Sequence, residues 1–305
     1  MTASRIVIDW GSSAFRAFLL GDGNQILEQI STHDGVLKLV GKLPSQVIAE
    51  TCGPWLNETP GLPIIMAGTI GSRNGWQETP YISCDASIGD LARACASVEN
   101  EAGLDIQIAP GVSGPDFFGG TDVMRGEEIQ LFGAMQTLGL SDALVCLPGT
   151  HSKWCVVEHS EITSVTSFMT GEMFALIRNQ SMIGLLINDD EFDQPSFLSG
   201  VAEGASPAGL LHKLFSIRAD TLLGNLAFPS AESYLSGMLI GSEVKAVAGA
   251  IGTDREVLLI GSEGLTRRYT AALSEHSIKS VPVRPDHAFV TGVSALLKAQ
   301  KDVSN

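Results

Sequence analysis

Near the start of the chain the apolar run Ile6-Val7-Ile8 ends in Asp9-Trp10-Gly11-Ser12-Ser13, a carboxylate followed by a Gly-containing turn. Gly11 lets an anion approach the backbone, the N–H groups and hydroxyls of Ser12 and Ser13 can donate to phosphate oxygens, and Asp9 can hold Mg2+ directly or through water. An ordinary hairpin with a turn-stabilising Asp has the same residues, so the motif needs a partner. That partner is the run from Val145 to Trp154, again an apolar strand, a turn at Pro148-Gly149-Thr150 and a second strand from His151. Two such tips would face each other. A third stretch, Leu258-Leu259-Ile260-Gly261-Ser262-Glu263-Gly264-Leu265, reads as strand, Gly turn and helix.

Cations are scarce: 19 Lys and Arg stand against 34 Asp and Glu among 305 residues, a formal net charge of −15. Three of them, Arg73, Arg125 and Lys153, nevertheless sit in Gly-rich segments. Arg suits a bidentate grip on a carboxylate and Lys a point contact with phosphate. Each also reads as a surface residue paired with a nearby acid, Arg125 with Glu127 or Glu128 for instance. Gly68, Ser72, Arg73, Asn74 and Trp76 form a polar loop after a strand, where open α/β sheets bind ligands. Phosphoryl transfer further requires a group to take the hydroxyl proton. With Asp9 given to the metal, Glu127 and Glu128 come first and His151 and Glu172 follow, although acids in a first helical turn also simply favour the macrodipole.

These residues need elements to carry them. Three strands joined by short turns open the chain (5–10, 14–20, 25–31), followed by a helix from Pro44 to Leu56 and apolar strands at 62–67 and 105–109. The spacing of Ile129, Leu131, Phe132, Met135 and Leu138 predicts a helix over 126–138. Three more strands at 143–147, 151–157 and 162–168 then repeat the opening theme. Helices near 171–179, 207–216 and 231–250, a strand at 256–260, a helix, a strand at 279–283 and a last helix at 286–299 complete an α/β pattern. The acidic, Pro-containing segment 188–199 reads as a solvated loop or insertion. The expected domains are 1–139, with the first hairpin turn and the polar 68–76 loop, and 140–305, with the second hairpin turn and the Gly turn at 261–264. The final helix is allowed to pack back on the first domain, and a cleft lies between the two.

Composition excludes other classes. The negative balance disfavours nucleic acid and anionic membranes as partners. Five cysteines without a C-x-x-C pair fit neither a disulfide framework nor a zinc site and point to a reducing cytoplasm. No apolar run approaches the roughly 20 residues of a membrane span. The histidines lack metal-like spacing and no Ser lies in a G-x-S-x-G elbow.

The order of the three Gly loops resembles the acetate and sugar kinase/Hsp70/actin superfamily, which implies two ribonuclease-H-like (actin-like ATPase) domains gripping ATP and Mg2+. More specifically, IDWGSSAFRA (8–17), MAGTIGSRNGW (66–76), VMRGEEIQLFGA (123–134), LPGTHSKW (147–154), MTGEM (169–173) and YLSGMLIGSEV (234–244) are similar to segments of bacterial 2-dehydro-3-deoxygalactonokinases. This resemblance runs from about residue 5 to about residue 295. It implies ATP-dependent phosphorylation of 2-dehydro-3-deoxy-D-galactonate at its terminal 6-hydroxyl, a step of galactonate catabolism. Ser13 stands where many superfamily members carry Thr, and the hydroxyl is retained. The run Gly126-Glu127-Glu128 also resembles the exopolyphosphatase branch, where a Glu so placed is the base. A phosphohydrolase of that type, or a kinase for a related 2-keto-3-deoxy sugar acid, is the alternative. The implied nucleotide contacts are Gly11, Ser12, Ser13, Gly149, Thr150, His151, Lys153, Gly261, Ser262 and Gly264. The expected partner is a small sugar acid, and a homodimer stays open.

Overall fold

A computed structural model describes residues 2–39, 41–187, 191–226 and 230–304. The first half runs β1 (Ala3–Trp10), β2 (Phe15–Gly21), β3 (Ile26–Thr32), α1 (Pro44–Glu58), β4 (Ile64–Ala67), β5 (Tyr81–Ser83), β6 (Ala86–Ser87), α2 (Ile88–Arg93), β7 (Ala96–Ser97), β8 (Ile106–Ile108), β9 (Gly111–Pro115), β10 (Thr121–Met124) and α3 (Glu127–Leu138). The second runs β11 (Ala143–Leu147), β12 (Ser152–Glu158), β13 (Glu161–Phe168), α4 (Thr170–Gln180), α5 (Gln194–Gly204), α6 (Leu210–Leu223), α7 (Ala231–Ile251), β14 (Val257–Ile260), α8 (Glu263–Glu275), β15 (Ser280–Val283) and α9 (Pro285–Ser304).

Two six-stranded sheets have the orders β3-β2-β1-β4-β8-β7 and β15-β14-β11-β12-β13-β6. In each, an antiparallel three-strand meander is extended beside its first strand by two parallel strands. Numbering the strands within each half gives 3-2-1-4-5 twice, so the fold is two ribonuclease-H-like α/β units. β11 is apolar throughout, and β1 over Ile6–Ile8, because each is a central strand with both faces covered. Ile6, Ile8 and Trp10 pack with Ile48 and Trp55 of α1 on one face. Val7, on the other face, belongs to a core containing Ile129, Phe132, Val145, Leu258 and Phe289, contributed by both sheets and by the helices between them.

Two exchanges tie the halves together. α9 lies against α3, with the Phe18 and Phe289 rings 6.0 Å apart. The helices cross at glycines: a Cβ on Gly133 would come within 1.8 Å of the Ala288 carbonyl oxygen, and one on Gly292 within 1.9 Å of the Ile129 carbonyl oxygen. In the other direction β6 pairs antiparallel with β13 and becomes an edge strand of the second sheet.

The segment expected to be a solvated loop needs correction. Residues 188–190 lie outside the described residues, but 194–204 form α5. Asp193 caps it by accepting the Ser196 N–H at 3.0 Å, a proline occupies its first turn, and Phe197 is fully buried. The acid and the proline that look like loop chemistry are helix-start chemistry. A three-stranded sheet, β10-β9-β5, is an addition to the expected pattern. The helix expected over 207–216 is also displaced to Leu210–Leu223. No helix among the described residues is long and apolar enough to cross a membrane.

Candidate active site

The tips of the two equivalent hairpins open into one cleft of about 460 Å³. Asp9, Gly11, Ser12 and Ser13 line it from the first, Gly149, Thr150 and His151 from the second, and Gly261, Ser262 and Leu265 from the turn after β14. Its floor is made by Gly68, Arg125, Gly126 and Glu127. Gly68 (φ +106°) and Gly126 (φ +103°) are required there. A Cβ on Gly68 would lie 2.6 Å from the Trp10 carbonyl oxygen, and one on Gly126 2.8 Å from the Gly68 Cα.

At the first tip the Gly11 N–H closes the turn on Ala14 at 3.0 Å, and the carbonyls of Gly11 and Ser12 accept from Val36 and Leu37 at 3.0 and 3.1 Å. The turn is thereby fixed, and the N–H groups of Ser12 and Ser13 have no acceptor among the described residues. Asp9, 8% exposed, pairs with Arg16 directly across the β1–β2 ladder and accepts from Gln130 at 3.1 Å. Arg16 in turn reaches Asp286, at the start of α9, at 3.0 Å. Burial raises the Asp9 pKa, and Arg16 opposes that rise. Both of these contacts fall on Oδ2, and Asp9 itself lines the cleft as a hard oxygen ligand. No group of three or more His, Cys, Asp or Glu among the described residues could hold a metal ion alone. A single carboxylate oxygen beside a phosphate cradle fits Mg2+, which takes one or two protein carboxylates and fills its shell with water and substrate phosphate.

The acids at the start of α3 separate. Glu127 lines the cleft, its Oε2 accepting the Arg125 N–H at 3.1 Å. Burial raises its pKa, and the nearby Lys153 ammonium pulls it back. Glu128 is 0% exposed, and its carboxylate folds onto the Gly126 N–H at 2.7 and 2.8 Å, out of the cleft lining. Burial, reinforced by Glu127, raises its pKa to about 8. The folded protein therefore keeps a proton on Glu128 that an unfolded chain loses near 4.5. That contribution to stability is complete below the lower value and is lost as pH rises through about 8. Glu128→Gln stays neutral, so its stability relative to the wild type should grow between pH 5 and 9, by up to the order of 5 kcal/mol. Parallel melting curves across that range would contradict this.

Lys153 does not face the cleft. Neighbouring β12 side chains alternate in direction, and with Ser152 turned toward α8 the Lys153 ammonium points the other way, to the Val123 carbonyl at 2.7 Å and the Ser167 hydroxyl. Gly264, inside the first turn of α8, is also absent from the lining, and Ser72, Arg73, Asn74 and Trp76 lie outside it. Arg73 and Asn74 are exposed, while Trp76 packs on the first core. Arg125 does line the cleft. Its guanidinium stacks 4.2 Å over the Tyr81 ring and donates to the Thr79 carbonyl at 2.8 Å, leaving a buried Nε without a partner. His151 meets Glu172 at 2.5 Å on the rim of the second tip. Arg16 and Gln130 are neighbours of Asp9 that lie inside the 8–17 and 123–134 segments without having been given a role there; their signal was register, opposite Asp9 on β2 and one helical turn after Gly126.

A sequence profile for 2-keto-3-deoxy-galactonokinase matches residues 9–296. The chain belongs to that family. It is 36% identical over 301 residues to the 2-dehydro-3-deoxygalactonokinase of Escherichia coli (strain K12), covering 98% of this chain and 99% of that one. A crystal structure from Sinorhizobium meliloti, provisionally described as a 2-dehydro-3-deoxygalactonokinase, superposes with a TM-score of 0.87 at 32% identity over 97% of this chain and 98% of that one. An activator of 2-hydroxyisocaproyl-CoA dehydratase from Clostridium difficile, with bound ADPNP, shares only the fold, at TM-score 0.56 and 12% identity over 98% and 97% of the two chains. As a galactonokinase-family member the protein is a sugar-acid kinase, transferring phosphate from ATP to an alcohol group of 2-dehydro-3-deoxygalactonate. The phosphohydrolase alternative is not favoured.

Proposed function

We propose that ATP lies between the two hairpin tips and that the 6-hydroxyl of 2-dehydro-3-deoxy-D-galactonate is presented to it from the first lobe, beside Glu127. The observation that carries this is a carboxylate of raised pKa at the meeting point of both phosphate turns and the Gly68–Gly126 floor. Ser12, Ser13, Gly149 and Thr150 hold the phosphates through backbone N–H groups and hydroxyls. Asp9 holds Mg2+, whose chemistry is to neutralise charge on the transferring phosphate. Glu127 takes the hydroxyl proton as the sugar oxygen bonds to the γ-phosphorus and the bond to the ADP oxygen breaks. The adenine occupies the small cavity lined by Thr170, Phe174, Ser236 and Arg268, which shares Gly149 and Leu265 with the cleft. Residues 1–139 and 140–305 act as lobes that close on the substrates, bringing the 72–76 loop toward the sugar acid.

Turnover measured against a panel of 2-keto-3-deoxy sugar acids, with ATP alone as the control, tests the reading. Selective use of the galactonate isomer is expected, and ATP hydrolysis without acceptor would refute it. Arg125 is assigned to the substrate carboxylate. Arg125→Ala should raise the sugar-acid KM about 10-fold to 100-fold and leave the ATP KM unchanged. An unchanged sugar-acid KM would move the clamp to Arg73.

The five free cysteines support a cytoplasmic setting. The exposed Leu211, Phe215 and Leu222 along one side of α6 support a homodimer through that helix. Sedimentation should show a dimer that Leu211→Glu dissociates; a monomeric wild type would exclude it.

A further inference from the structure

Beneath the second hairpin tip, side chains from three elements converge on a carboxylate carried by a fourth. Glu243 of α7 is 2% exposed. Its Oε1 accepts the Trp154 Nε1–H of β12 at 2.7 Å. Its Oε2 accepts the Tyr269 hydroxyl of α8 at 2.9 Å and the Thr170 hydroxyl from the first turn of α4. The Tyr269 oxygen lies 2.6 Å from Ser152 Oγ, so Ser152 donates to Tyr269 while Tyr269 donates to Glu243. Three donors and no cation meet this carboxylate, an arrangement that suits an ionised acceptor.

The ends of this network flank the phosphate turn. Ser152 directly follows His151, and Thr170 directly precedes Gly171 and Glu172. The Glu172 N–H donates to the Thr150 carbonyl at 2.8 Å, and a Cβ on Gly171 would lie 2.3 Å from the Gly149 carbonyl oxygen. One buried group therefore moors the strand leaving the turn and the helix that leans on it.

We propose that ionised Glu243 is a positioning residue for the nucleotide: it holds Gly149, Thr150 and His151 in place to receive the ATP phosphates, and loss of its charge weakens ATP binding without affecting the sugar acid. This rests on the assignment of that turn to ATP made above. Burial raises the Glu243 pKa to about 7, against the pull of its hydrogen bonds to Thr170, Trp154 and Tyr269. The other titratable groups facing it are Tyr269 and, on β11, Cys146; burial raises both well above their ordinary values, so both stay neutral. A proton on Glu243 must sit on Oε2, because Trp154 only donates, and it forces the Thr170 or Tyr269 hydroxyl to reverse.

Glu243→Gln keeps the shape and removes the charge. Calorimetric titration with ATP from pH 6 to 8.5, on wild type and variant, separates the effect from the titration of ATP itself. At pH 8 the variant should bind ATP about 10-fold more weakly and show the same rise in ATP KM, with the sugar-acid KM within about 2-fold of wild type. As pH falls through about 7, wild-type affinity should drop toward that of the variant. ATP affinity within about 2-fold of wild type throughout would overturn the proposal. Should the variant not fold, Tyr269→Phe and Thr170→Val each remove one donor, and unchanged ATP affinity in both is equally decisive against it. A wild type that binds ATP, shows the Glu243 effect and phosphorylates no sugar acid would instead refute the kinase reading and leave this one standing.

Discussion

Glu127→Gln should lower kcat by about 10²-fold to 10⁴-fold with little change in either KM, because proton removal from the attacking hydroxyl stabilises only the transition state. The site supports this assignment for Glu127 over its neighbour. Glu127 lines the cleft, whereas the Glu128 carboxylate is fully buried against the Gly126 N–H. Burial also places the Glu127 pKa above the ordinary carboxylate range, so the acid limb of the wild-type pH–rate profile should be displaced upward and should vanish in the variant. Steady-state kinetics on both Gln variants decide the matter. Wild-type kcat in Glu127→Gln would pass the role to His151 or Glu172, which meet on the opposite rim.

The second large effect is expected at Asp9. Asp9→Asn keeps an oxygen for Gln130 and the volume of the side chain, but removes the charge that would orient Mg2+ and that balances Arg16. A fall in kcat on the order of 10³-fold is expected, since the lost interaction acts where charge develops on the transferring phosphate. Circular dichroism should be unchanged, because Asp286 still pairs with Arg16. Near-normal kcat in the folded variant would remove the first hairpin from the phosphate site.

Much of this site is legible in the sequence because its chemistry is local. The turns at Gly11 and Gly149 interrupt apolar runs at equivalent places, and those runs become the central strands β1 and β11. What escapes depends on contacts distant in the chain. The two-residue strand β6 is too short to carry a pattern, and only its pairing with β13 defines it. Lys153 lies in a phosphate-loop motif, but its ammonium is taken up by the Val123 carbonyl and the Ser167 hydroxyl, contacts that depend on residues distant in the chain. Glu243 left a faint signal, a lone acid in an otherwise apolar stretch of α7; its meaning required Trp154, Thr170 and Tyr269, brought from three other elements.

The exchange of β6 and α9 between the halves bears on how the polypeptide is made. A ribosome delivers α3 with its apolar face bare, and the helix that covers it emerges only after the entire second sheet. The crossing at Gly133 and Gly292 leaves no room for a substitute, because the two backbones touch. The amino-terminal half must therefore wait, partly assembled, while β6 waits in turn for β13. The second sheet can take up β6 as soon as β13 emerges, but the first lobe, and with it the cleft, is complete only once the last helix of the chain has been made.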